Sequence, residues 1–289
     1  MKKTLLFAIT ATVFSSATFA GTIAEISQAT DNETSLKLGH ALDNGISFGI
    51  EGVYSNNGVT DILGTKKGAG YKETTLGAAW KVAITDNAWV QPQIAYTIPS
   101  NTSFKISDDF RPSPSEEISL DKYSVSGEKG NTLKVGLKAG YDFDNGVYVA
   151  GRYRYDMRDD NLSLNGLDSA KNTMNIDIDG ANSVHRTDLT FGYTMDVVDL
   201  SVNWIHKEAE DSFKGSFSEK NSKGKVVEKG SNKIGKTKAR QDEFEMKAVL
   251  LTAGDVKPYI QYTVKSDVKL DNAKITQDNV FKLGVAYAF

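Results

Sequence analysis

The 289-residue chain has no cysteine, five prolines and three histidines. Without cysteine there is no disulfide framework, no zinc-thiolate site and no cysteine nucleophile. Long apolar runs are equally scarce. Beyond residue 20 no stretch approaches the roughly 20 consecutive apolar residues that a membrane helix needs, so the chain is not a bundle of such helices. A basic excess is missing too: the formal net charge is -3, which argues against wholesale nucleic-acid binding. What the chain has instead is 12 Tyr and 13 Phe, aromatics favoured in strands, alongside 25 Gly.

The first twenty residues have the layout of a secretory signal. Met1-Lys2-Lys3 is a positive start, Leu5 to Phe14 is a mostly apolar run, and Ala17-Thr18-Phe19-Ala20 places small residues where a signal peptidase cuts. Cleavage is predicted after Ala20, leaving residues 21–289 as one domain. The segment is too short for a membrane anchor.

Hydrophobic alternation defines the fold class. Phe281, Leu283, Val285, Tyr287 and Phe289 alternate with Lys282, Gly284, Ala286 and Ala288. Leu133, Val135, Leu137, Ala139, Tyr141 and Phe143 do the same, and after Asp144-Asn145-Gly146 the pattern resumes at Val147, Val149, Gly151, Tyr153 and Tyr155. Two such runs around an Asn-Gly tip predict a hairpin. The pattern predicts twelve strands, near 21–29, 34–42, 46–55, 71–84, 88–98, 131–143, 147–158, 184–196, 199–209, 241–251, 256–266 and 279–289. Their connections alternate short and long, the long ones near 30–33, 56–70, 99–130, 159–183, 210–240 and 267–278. Short turns, expected on the periplasmic side, and long loops, expected on the extracellular side, with an even number of strands of about 9–11 residues, predict a closed all-β antiparallel transmembrane β-barrel of the bacterial outer membrane. Closure follows because lipid cannot satisfy a free strand edge. Tyr96, Tyr141, Tyr153, Tyr155, Tyr193, Trp80, Trp204, Tyr262 and Phe289 share the outward parity expected of interfacial aromatics.

If the apolar parity meets lipid, the other parity lines the lumen. Its basic members are Lys37, Lys81, Lys134, Lys138, Arg152, Arg154, Arg158, Arg186, Lys207, Lys247, Lys257, Lys265 and Lys282; its acidic ones are Glu25, Glu51, Glu73, Asp142, Asp156, Asp188, Glu243 and Glu245. An acidic chain is thus expected to carry a basic inner wall. Any single lysine there is explained by hydration and salt bridging. The clustering of Lys134, Lys138, Arg152, Arg154, Arg158 and Arg186 on three neighbouring strands instead predicts a basic stripe, and Lys207, Lys247, Lys257, Lys265 and Lys282 could form a second basic region. Such ladders replace the hydration of passing carboxylates, and the planar guanidinium matches a carboxylate's geometry.

With the Arg-x-Arg strand Gly151-Arg152-Tyr153-Arg154-Tyr155, the paired Val90-Gln91-Pro92-Gln93-Ile94 and Val256-Lys257-Pro258-Tyr259-Ile260 strands, and the terminal Phe289, the chain resembles the KdgM family of oligogalacturonate-specific outer-membrane porins. The sialic-acid porin NanC is similar. The resemblance implies a monomeric twelve-stranded channel for acidic oligosaccharides, its pore lined by the basic residues named above. It implies outer-membrane lipid and lipopolysaccharide as surroundings, and the barrel-assembly machinery as a partner through Phe289. This chain departs from the family by longer 99–130 and 210–240 segments. The latter holds nine Lys or Arg against four acids, so it either presents a solvated face, gathers anions or contacts lipopolysaccharide.

Catalytic patterns are thin. His40, His185 and His206 all fall on the outward parity. His185-Arg186-Thr187 invites comparison with the outer-membrane phospholipase, but Thr187 stands where that enzyme has serine. Carboxylate pairs such as Asp159-Asp160 or Glu243 and Glu245 lack any sign of the set separation a glycosidase needs. The spaced oxygen ligands of a calcium loop are missing. The expectation is a diffusion channel without cofactor, metal or catalytic residue. The alternatives are a barrel hydrolase, a non-specific small-solute porin, or a soluble or adhesive sugar-binding barrel.

Overall fold

A computed structural model describes residues 21–56, 69–100, 103–108, 120–168, 170–251, 254–270 and 273–289. The predicted signal segment 1–20 and its cleavage point lie outside the described residues. Twelve strands form the wall: β1 Gly21–Ala29, β2 Glu33–Ala41, β3 Ile46–Ser55, β4 Gly70–Trp80, β5 Ala88–Pro99, β6 Thr132–Asp142, β7 Val147–Asp168, β8 Thr173–Thr194, β9 Val198–Lys220, β10 Val226–Leu250, β11 Val256–Lys265 and β12 Val280–Ala288. Each pairs antiparallel with its sequence neighbours, and β1 closes the ring on β12 through Ile26 opposite Val285. The architecture is therefore a closed antiparallel twelve-stranded barrel, with no helix among the described residues.

The short turns need special backbone chemistry. At the tip between β6 and β7, Gly146 takes φ 87°, where a β-carbon would meet the Thr194 carbonyl oxygen at 2.5 Å. Asn145 Oδ1 caps the same turn by accepting from Val147 N at 3.2 Å. Only an Asx–Gly pair satisfies both demands, which is why this hairpin is legible in sequence.

Burial separates the two faces as the alternation requires. Along β8, Leu189, Phe191 and Tyr193 are exposed whereas Asp188 and Thr190 are buried; along β12, Phe281, Leu283, Val285 and Tyr287 are exposed and Ala286 is buried. Large apolar side chains that face outward over the whole circumference, with polar ones inside, form the surface that a hydrocarbon solvent demands.

The segments at the other end differ from the loops predicted there. Residues 159–168 and 173–183 continue β7 and β8, and 210–220 and 226–240 continue β9 and β10, so these four strands run for 22, 22, 23 and 25 residues. Since about 9–11 residues cross the membrane, each stands clear of it by roughly 40 Å of strand. Within 99–130, Ser103–Asp108 and Leu120–Glu128 form a hairpin that pairs with residues 161–168 of β7. It extends this sheet sideways and does not insert two more strands into the wall. A smaller hairpin, Val268–Leu270 with Ala273–Ile275, flanks the sheet's other side at Ala239 and Arg240 of β10.

In this extension the amphipathic sense reverses without a break in register between β7, β8 and β9. In the membrane section Tyr153 and Tyr155 point outward and Arg152, Arg154 and Arg158 inward. Higher on the same strand, Asp159, Asn161 and Ser163 hold the outward parity, and Leu162 and Leu164 turn inward. On β8 the inward positions become Ile178 and Ile176, and on β9 Phe213 and Phe217, while Asp179, Asp177, Ser212 and Lys214 take the outside. The outer face turns polar where lipid gives way to water.

Candidate functional site

The membrane section of the lumen is lined by charged side chains in registered rows. One row runs through Gly136, Arg154, Arg186, Lys207 and Gln241, so that three cations stand side by side on β7, β8 and β9. The adjacent row passes through Lys138, Arg152, Asp188, Ile205, Glu243 and Lys265. Like charges directly opposite one another repel, so the first row persists only with compensating carboxylates nearby.

Those carboxylates come largely from the same strands. Arg154 donates to Asp156 through two bonds of 2.7 Å, Arg158 donates to Asp160 at 2.9 Å, and Arg186 donates to Asp188 at 2.7 Å. Each pair is an Arg-x-Asp step, whose spacing of two puts both side chains on one face of a strand. Arg152 reaches Asp188 from the next strand, at 2.8 Å from Nε and 2.6 Å from Nη2. Asp188 therefore anchors two guanidinium groups and is itself only 3% exposed. Lys207 is tied to Glu243 at 2.6 Å. The stripe is thus a lattice of fixed guanidinium groups interleaved with acids, and Asp160 joins the inner-wall acids that alternation alone placed there.

Of the other predicted pore residues, Lys138 is buried beside Arg152, with its ammonium 5.5 Å from the centre of the Trp89 ring. Lys247 is likewise buried, 4.1 Å over the Tyr259 ring. Lys257 donates to the Leu251 carbonyl at 3.1 Å, at the end with the short turns. Lys134, Lys265 and Lys282 hold no ion pair among the described residues. Lys207 joins the first cluster through Arg186, whereas Lys247 and Lys282 share one row on either side of Gln261, and Lys257 and Lys265 lie toward opposite ends of β11. On the far side of the ring, Lys37 lies between Glu25 at 3.4 Å and Glu51 at 3.5 Å. The wall is therefore polarised, with guanidinium groups on β7 and β8 facing an acid–lysine–acid cluster on β1 to β3.

Three buried aromatics that alternation did not single out hold the lower lumen. Trp89, Tyr148 and Tyr259 sit over Gly140, Gly192 and Gly284 of the neighbouring strand. Each donates its polar tip to a carboxylate: Trp89 to Asp142 at 3.1 Å, Tyr148 to Asp199 at 3.2 Å and Tyr259 to Glu25 at 2.7 Å. The sequence signal is an inward aromatic opposite a glycine across the hairpin, visible only once register is known.

Above the membrane section, burial pushes the Lys129 ammonium below its ordinary value, and Arg158 adds to the effect. Among the histidines, His185 lies on the outer face, where its Nδ1 meets the Tyr153 hydroxyl at 2.5 Å and its ring lies 4.7 Å from that of Tyr155. It is part of an interfacial aromatic cluster. No group of three or more metal-ligating side chains occurs among the described residues.

The sequence matches no known family model and no curated protein. Solved structures give fold-level likenesses. A NanC porin is 14% identical at a TM-score of 0.48, over 92% of this chain and 98% of that one. A KdgM porin is 11% identical at 0.49, over 93% and 99%, and the KdgM porin in complex with disordered oligogalacturonate is 10% identical at 0.49 over the same shares. At such identities and scores the likeness assigns no substrate to this chain.

Proposed function

We propose that the protein is an outer-membrane channel through which acidic oligosaccharides, of the uronate or sialate kind, diffuse passively. The observation that carries this reading is the row of Arg154, Arg186 and Lys207, three cations abreast on the lumen side of three consecutive strands. Their neighbouring acids fix the guanidinium groups in place, so a passing carboxylate in the water-filled lumen meets preorganised donors that replace part of its hydration shell. Lys134, Lys138, Arg152 and Arg158 continue the stripe, and Lys247, Lys257, Lys265 and Lys282 extend positive charge round the wall. No step of this function needs a cofactor or a bond-making residue.

The proposed surroundings follow from the outer face. The apolar band contacts lipid, the lysines of β9 and β10 above it contact lipopolysaccharide phosphates, and the exposed terminal Phe289 beside β1 serves as the handle for barrel assembly. The channel is proposed to act as a monomer.

Single-channel recording in planar bilayers tests the reading. The native protein should show discrete conductance steps with a reversal potential of anion-selective sign, and Arg154→Gln with Arg186→Gln should abolish that selectivity while steps persist. Cation selectivity in the native protein sinks the proposal.

A further inference from the structure

The inner face of the β7–β10 extension has no role in a purely charge-based channel. Leu162, Leu164, Ile176, Ile178, Phe213 and Phe217 all project from it toward the barrel axis, on three strands in unbroken register. Phe213 and Phe217 lean over Gly180 and Gly230 on the strands to either side, and remain 38% and 36% exposed. Leu162, Leu164, Ile176 and Ile178 beside them are half-buried; a hydrated vestibule gains nothing from such a face, and partly accessible apolar surface bordered by polar groups marks a binding site.

Position restricts the occupant. The opposite face carries Asp159, Asn161, Asp179 and Lys214 and is turned to water at this height, so the apolar face serves a molecule approaching along the channel axis. The face is continuous with the charged wall below it: Leu162 follows Arg158 and Asp160 on the same side of β7, and Arg154 and Arg186 come next down the wall. A molecule held there contacts aliphatic and aromatic carbon at one end and guanidinium groups at the other. The aliphatic side chains outnumber the two phenylalanines, which favours a genuinely apolar group over the hydroxylated face of a sugar ring.

We infer that the inner face of the β7–β10 extension binds the aryl substituent of acidic solutes, so that the extracellular mouth selects aryl-bearing carboxylates over bare ones. This deepens the acidic-solute reading and rests on it for the anionic half of the ligand.

Block of single-channel current tests the inference, with phenyl β-glucuronide, glucuronate, phenyl β-glucoside and glucose added on the extracellular side. Phenyl β-glucuronide should block at about ten-fold lower concentration than glucuronate, because its ring leaves water for the apolar face. Phe213→Ser with Phe217→Ser should bring the two acids within about two-fold of each other and leave block by glucuronate unchanged. Should the double variant fail to insert, Phe217→Ser alone should still narrow the gap. Equal block by the two acids in the native channel overturns the inference, as does a preference that survives the substitutions. If glucuronate blocks no better than glucose while phenyl β-glucoside outperforms glucose, the charge-based function fails and the aryl surface stands.

Discussion

Arg152 and Asp188 face each other across the β7–β8 pair, and the guanidinium places Nε at 2.8 Å and Nη2 at 2.6 Å from one carboxylate oxygen. Both side chains are about 4% exposed, so the pair is sealed from bulk water. Arg186 bonds the other carboxylate oxygen at 2.7 Å. Asp188→Asn would leave two buried guanidinium groups sharing a neutral partner. Breaking a buried pair in this way costs about 3–5 kcal/mol. The variant should therefore unfold at lower urea concentration and show a larger anion-over-cation permeability ratio. An unchanged ratio would mean that this cluster is structural and remote from the ion path.

Salt should weaken the selectivity. The screening length falls from about 10 Å at 0.1 M to about 3 Å at 1 M, so carboxylates crossing the lumen lose sight of charges they do not touch. The anion-over-cation permeability ratio should decline steeply over this range in the native channel. It should be nearly flat in Arg154→Gln with Arg186→Gln. A salt-independent ratio in the native protein would point to selection by size.

The height of the apolar band can be mapped by charge insertion. Ile260 on β11 is 50% exposed on the outer face, between Pro258 and Tyr262. Arginine there should cost about 2–4 kcal/mol if the site lies near the bilayer midplane. Ser212 has the same outward orientation on β9 but stands in the polar extension, so Ser212→Arg should stay within about 0.5 kcal/mol. Reversible unfolding in lipid vesicles measures both. Equal costs at the two sites would place the membrane boundary elsewhere.

The barrel was legible because lipid enforces a strict rule: Phe281 to Phe289 and Leu133 to Phe143 alternate without exception, and Asn145-Gly146 marks the turn. The extension was missed because water enforces no such rule on its outer face. Leu162 and Leu164, Ile176 and Ile178, and Phe213 and Phe217 do alternate, but on the opposite parity to Tyr153 and Tyr155, so polar outward residues such as Asp159 and Asn161 resembled loop. The basic residues of the stripe were visible one by one, and their pairing was not. That Arg152 meets Asp188 depends on cross-strand register, whereas the Arg154–Asp156 step could be found from spacing alone.

Tyr148 and Gly192 offer a test of how the wall is locked below the charged rows. A β-carbon on Gly192 would lie 2.0 Å from Tyr148 Cζ and 2.3 Å from its hydroxyl oxygen. The ring is 6% exposed and its hydroxyl donates to Asp199 at 3.2 Å, so it cannot swing aside without losing that bond. Gly192→Ala should cost about 1–3 kcal/mol through overpacking. Gly151→Ala, whose added carbon would meet only Leu189 Cδ2 at 3.6 Å, should be nearly neutral. Since the clash needs both partners, Gly192→Ala combined with Tyr148→Ser should lose less than the sum of the two single changes. Strict additivity would show that the glycine is required by its backbone and not by the ring above it.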